Sequence, residues 1–88
     1  MGINAVEVKV MPESIETNLE ELKAKIKKQL KKAKNIQIDE KEIAFGLKAL
    51  QLLIAWPDSE DTDEIENIIN GIKGVSSVKI ENIRRAFG

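Results

Sequence analysis

Two apolar runs meet at Gly46, and that junction limits the folds open to this chain. Downstream, Leu50, Leu52, Ile54 and Trp56 share one face of an extended segment, Ala49, Leu53 and Ala55 occupy the other, and Pro57 ends it. Apolar residues on both faces suggest a central strand of a sheet. Gly46 is the pivot, because a residue without Cβ takes the positive φ that a tight reversal or bulge requires. Upstream, Ile36 and Ile38 alternate with polar residues. A charged run, Asp39-Glu40-Lys41-Glu42, follows, and Ile43 and Phe45 then resume on the opposite parity. A bulge or irregular segment has to absorb that shift. Phe45, one of two phenylalanines in a chain without tyrosine, stands beside the bend. A ring there either caps one end of the core or projects as an anchor for another protein.

The rest of the chain supplies elements around this hairpin. Val6-Glu7-Val8-Lys9-Val10 alternates with period two and reads as a half-buried strand closed by Pro12. Asn18 with Glu21 three residues on is a variant of the capping box. Leu19, Leu22, Ile26, Leu30 and Ala33 then form one helical stripe, which predicts a helix over 18–33. Acids gather at its start, and Lys27, Lys28, Lys31, Lys32 and Lys34 at its end, each set complementing the macrodipole. The lysines read either as a solvated face or as a patch for RNA or an acidic partner. The acids between Asp58 and Glu66 lack the order of a calcium loop. They fit better as the first turn of a second helix, 62–73, capped by Asp61 or Thr62, with Ile65, Ile68, Ile69 and Ile72 as its buried stripe. Gly74 suits the position beyond its C-terminus. Val75 to Glu81 alternates as a last strand, and Ile83 to Gly88 runs out to the terminus.

The order is strand, helix, strand, strand, helix, strand. Each helix separates two strands that must lie parallel in one sheet, and right-handed crossovers leave few arrangements. The simplest is an α+β, ferredoxin-like split βαβ sandwich: a four-stranded antiparallel sheet with both helices on one face. At 88 residues, the chain is expected to form a single domain that buries only about 60–65% of its unfolded surface, too little for a deep catalytic cleft.

Composition narrows the chemistry. With neither cysteine nor histidine, a disulfide framework, ordinary zinc sites and Cys–His or Ser–His nucleophiles are excluded. A net charge of −1 argues against nucleic acid as the main partner. No basic n-region leads into an apolar stretch at the start, and no run approaches a membrane span, so a soluble cytoplasmic protein is expected. An RNA platform on this fold would need aromatics on two central strands, and the first strand has none. An acylphosphatase-like enzyme would need an arginine in a glycine-rich loop after the first strand, where Met11-Pro12-Glu13-Ser14 stands instead. A ligand-sensing regulatory domain is the remaining alternative of different class; Ile72 to Val78 suits one but is a generic helix-to-strand connection. The fold alone does not choose among these.

Three phrases carry a resemblance over essentially the whole chain: Val6 to Ser14, Ile43 to Gln51, and Gly74-Val75-Ser76 with Arg84-Arg85. The sequence resembles the elongation factor 1-beta family, guanine-nucleotide exchange factors of the GTPase elongation factor 1-alpha, in its short archaeal form. The phrase Ala44-Phe45-Gly46-Leu47-Lys48-Ala49-Leu50-Gln51 is its most specific part. The resemblance implies a mechanism by contact, with no catalytic residues of its own, no cofactor and no metal. In the family a phenylalanine at the position of Phe45 enters a pocket of the GTPase near its nucleotide site. A penultimate lysine of the eukaryotic factor disturbs the magnesium and phosphate site. Aligned without gaps from Val75, Arg85 falls at that lysine, followed by three residues rather than one; Arg84 is the alternative. The expected partner-binding residues are thus Phe45, Gly46, Lys48, Arg84 and Arg85. The expected partner is elongation factor 1-alpha, without direct nucleic acid or membrane contact, and the free protein is expected to be a monomer.

Overall fold

The computed structural model describes residues 2–87. Six elements follow one another: β1 (Ile3–Pro12), α1 (Leu19–Gln29), β2 (Asn35–Ala44), β3 (Leu47–Pro57), α2 (Asp63–Asn70) and β4 (Val75–Phe87). The strands form one antiparallel sheet in the order β2-β3-β1-β4. This is the ferredoxin-like arrangement that the order of elements predicts.

The period-two patterns decide which face is covered. Val6, Val8 and Val10 of β1 stand opposite Ile54, Leu52 and Leu50 of β3, so these side chains share one face. With Trp56 they are almost fully buried, packed in one cluster with Leu22, Ile26 and Leu30 from α1 and Ile65 and Ile69 from α2. Both helices therefore cover the same face. The other face of the sheet is open to solvent over Glu7, Lys9, Lys41 and Gln51.

Helix ends differ from the periodicity. Asn18 caps α1 as expected, its Oδ1 accepting from the Glu21 backbone N–H at 3.1 Å. The helix stops at Gln29, four residues earlier than the apolar stripe, and Leu30 leaves helical geometry with ψ 66°. Leu30 and Ala33 still contact the core after the helix has ended. A side chain can meet the core from a turn as readily as from a helix, so the stripe outlasts the hydrogen bonds. α2 likewise ends at Asn70, with Gly71 at its C-cap, while Ile72 is buried from the following turn. Gly74 is not the cap: its φ of +102° serves the turn into β4, where its carbonyl accepts from the Glu13 N–H at 3.0 Å. At the start of α2 the Asp61 carboxylate accepts from the Asp63 N–H at 2.9 Å, whereas the Thr62 side chain makes no cap bond.

The largest departure is β4. Residues from Ile83 onward do not run out past the sheet: Ile83, Arg84 and Arg85 pair with Val6, Ala5 and Asn4 of β1, and pairing continues to Phe87. Register shifts, at Glu7/Val8 among others, let this long edge strand follow β1. Gly88 lies outside the described residues.

Candidate functional site: the hairpin tip and the end of the edge strand

The β2–β3 hairpin turns on two residues, Phe45 and Gly46, between the paired Ala44 and Leu47. Their φ values are +52° and +82°. Two successive positive φ angles are the requirement of a tight hairpin whose twist matches its strands. Gly46 meets it without penalty, and a Cβ added there would find nothing within 4 Å, so backbone freedom rather than space makes it glycine. Phe45 meets it with strain, since an L-residue in the left-handed region costs on the order of 1–2 kcal/mol. The expected irregularity is present too: the ladder slips between Glu42 and Ala44, leaving Ile43 as the extra residue.

The ring of Phe45 is 100% exposed. It caps no core, which removes that reading. A large aromatic held in water, at a backbone position that asparagine or glycine would occupy more cheaply, serves neither packing nor turn formation. Lys48, two residues beyond the turn, leans back toward β2, its Nζ 3.6 Å from Glu40 Oε1. Glu40 also receives Lys23 Nζ of α1 at 2.7 Å. The hydrogen bond from Lys23, aided by the charge of Lys48, holds the Glu40 carboxyl below the usual carboxylate range.

Arg84 and Arg85 lie elsewhere. Arg84 faces Ala5, which itself faces Ala55 on β3. From Leu47 to Ala55 is eight residues, or roughly 26 Å of strand. Phe45 and the arginines therefore occupy opposite ends of the sheet. Both arginines are held by carboxylates. Arg84 Nη1 and Asn82 Nδ2 donate to the same Glu7 Oε2, at 3.2 and 3.0 Å, over the open face. Arg85 Nη1 donates to Asp58 Oδ2 at 3.2 Å, on the loop that follows β3. Neighbours on a strand point to opposite faces, and these two partners show it. The lysine cluster at the end of α1 is partly committed as well: Lys32 Nζ lies 2.7 Å from Glu60 and 3.0 Å from Glu64.

Comparison with known proteins identifies the family. The family model described as EF-1 guanine nucleotide exchange domain matches residues 5–86. The chain belongs to this family. Among its relatives, an elongation factor 1-beta of Desulfurococcus amylolyticus is 42% identical, covering 89% of this chain and 90% of its own. That of Staphylothermus marinus is 45% identical over the same shares. That of Methanothermobacter thermautotrophicus is 39% identical over 97% of this chain and 98% of its own. Guanine-nucleotide exchange on elongation factor 1-alpha is the activity of this exchange-domain family, and the ferredoxin-like sandwich is its scaffold here. Among the described residues no helix is long and apolar enough to cross a membrane.

The sequence singled out this hairpin and assigned nothing to Ile15. This isoleucine of the β1–α1 loop is 67% exposed at the same end of the molecule. The only available signal was its place between Pro12 and the capping residue Asn18, outside every apolar stripe.

Proposed function

We propose that this chain promotes GDP release from elongation factor 1-alpha purely by contact, hydrolysing nothing, with the Phe45–Gly46 hairpin as the docking anchor. The observation that carries this is the wholly exposed ring of Phe45 on a left-handed backbone. Strain at an exposed aromatic has no return within the free protein, and a pocket on a partner would supply one. Lys48 stands at the base of this tip. Arg85, or Arg84 in its place, acts from the far end of the sheet on the magnesium and phosphate side of the nucleotide. Since roughly 26 Å of strand separates the two ends, the partner meets an extended surface rather than a single point. Residues 1–88 act as one exchange domain, monomeric when free, in the cytoplasm and without nucleic acid.

The thermodynamics need no active site. A factor that binds the nucleotide-free GTPase better than the nucleotide-bound form must weaken nucleotide binding by the same ratio. Magnesium and the phosphates supply much of the nucleotide's affinity, so a cation brought there acts where the leverage is greatest.

The test is release of fluorescently labelled GDP from elongation factor 1-alpha. Substoichiometric amounts of this protein should accelerate release through many turnovers, with no phosphate produced beyond that of the GTPase alone. No acceleration with the cognate GTPase would end the proposal. Salt-steep binding to single-stranded RNA, or stabilisation by a small molecule, in its place would favour the other classes.

A further inference from the structure

We infer that Ile15 is a second anchoring residue for the GTPase, seating an apolar contact beside Phe45; this rests on the hairpin being the docking end. Among the described residues the exposed large hydrophobics are Ile15, Ile43, Phe45 and Ile83. Ile43 and Phe45 belong to the hairpin itself. Ile15 comes from a different part of the chain, yet it lines a surface depression of about 260 Å³ together with Pro12, Ser14, Thr17, Leu19, Gly46 and Lys48. The pairing of β1 with β3 explains the meeting: Val10 faces Leu50, so the loop after Pro12 emerges level with the hairpin tip.

The loop holds Ile15 outward by its own hydrogen bonds. The Ser14 N–H donates to Thr17 Oγ1 at 3.2 Å, the Glu16 N–H to Ser14 Oγ at 3.2 Å, and the Thr17 N–H to the Ser14 carbonyl at 3.2 Å. Ile15 sits at the apex of this closed turn. A loop that only joined β1 to α1 would have no use for a β-branched apolar apex, and the same hydrogen bonds would form around a polar residue. A rigid turn presenting an apolar side chain costs little ordering on binding, which is the requirement of an anchor. The surface is continuous with the hairpin, since Gly46 and Ile15 line one depression. The occupant is therefore the GTPase surface next to the pocket that takes Phe45, and it should itself be apolar.

The experiment measures labelled GDP release from elongation factor 1-alpha against exchange-factor concentration, for Ile15→Ser, Ile15→Leu and Phe45→Ala. Thermal melts followed by Trp56 fluorescence run alongside. Ile15→Ser should raise the half-maximal concentration about tenfold, the effect of exposing one isoleucine that was buried on binding. Ile15→Leu should stay within about threefold of the parent because it keeps the apolar volume. The melting temperature should stay unchanged in both. If Phe45→Ala weakens exchange and Ile15→Ser does not, this inference is wrong while the hairpin reading stands. If Phe45→Ala has no effect, the hairpin reading fails and this inference with it. A concentration-dependent dimer of the parent that Ile15→Ser dissolves would show a second copy of this chain as the occupant, and would overturn the assignment.

Discussion

Phe45 and Gly46 share one turn and the same left-handed backbone, φ +52° and +82°, but only Gly46 is suited to it. The strain at Phe45 gives an assay that separates folding from function. Phe45→Asn should raise stability by about 1 kcal/mol, since asparagine tolerates the left-handed region and Asn-Gly is the favoured pair for such a hairpin. The same change should remove most of the exchange activity. Phe45→Ala should weaken the complex with nucleotide-free GTPase by about 2 kcal/mol or more, roughly thirtyfold, as truncated aromatic hot spots do. It should spare the fold the ~3–5 kcal/mol lost when a buried ring is removed. One melt and one binding titration for each variant decide this. A markedly lower melting temperature with unchanged affinity would reverse the reading.

Gly46→Ala isolates the backbone requirement, because an added Cβ meets nothing within 4 Å. We expect a loss of about 1–2 kcal/mol from the left-handed penalty alone. Denaturant unfolding would measure it. A neutral result would mean that the turn relaxes to another type.

Arg84 and Arg85 can be separated because they face different carboxylates. Arg85→Ala should lower exchange, and both single variants should shift stability by less than about 1 kcal/mol, the range of exposed ion pairs. Glu7→Gln tests the hold on Arg84 from the other side. It keeps an acceptor for Asn82 while removing the charge opposite Arg84, so exchange should not fall if Arg84 acts on the partner. Equal small losses from Arg84→Ala and Arg85→Ala would show that general charge matters; no loss from either would leave both as structural pairs.

The Lys32 cluster predicts a pH response. The hydrogen bond from Lys32 lowers the Glu60 carboxyl below its ordinary value of 4.5, with the lysine charge adding to the effect. The hydrogen bonds to Glu60 and then Glu64 raise Lys32 above its ordinary 10.5. A depressed carboxyl contributes stability above its unfolded pKa and loses it as pH falls through the folded value. A raised lysine contributes below its unfolded pKa and loses it as pH rises through the folded one. Parent and Lys32→Met melting temperatures should therefore differ by a constant small gap between 4.5 and 10.5 that closes outside both limits. Added salt should shrink the gap, because these side chains face water. A gap that persisted in acid would assign the effect to packing of the lysine stem.

Much of the fold was legible because its signals are local. Period two over Val6–Val10 and Leu50–Trp56, and period 3.6 over Leu19–Leu30 and Ile65–Ile72, reflect which side of each element meets the core. The parity change before Phe45 announced the slip at Ile43, since the period of a strand cannot change without one. The order of elements then left few topologies. Helix ends were read too long at both helices for a related reason. Leu30, Ala33 and Ile72 reach the core from turns, and an apolar stripe records burial rather than hydrogen bonding.

What only the tertiary structure decided depends on partners distant in sequence. Whether Ile83–Phe87 belongs to a strand is settled by Ile3–Val6, at the other end of the chain, and an edge strand with charged residues carries no alternation to betray it. The carboxylates that hold Arg84 and Arg85, the full exposure of Phe45, and the meeting of Ile15 with Gly46 are relations across the sheet. The sequence by itself determined which residues are apolar and which backbone is free to turn. The sheet register alone placed the hairpin and the two arginines at opposite ends, because antiparallel pairing with β1 carries β4 away from the tip that β2 and β3 build.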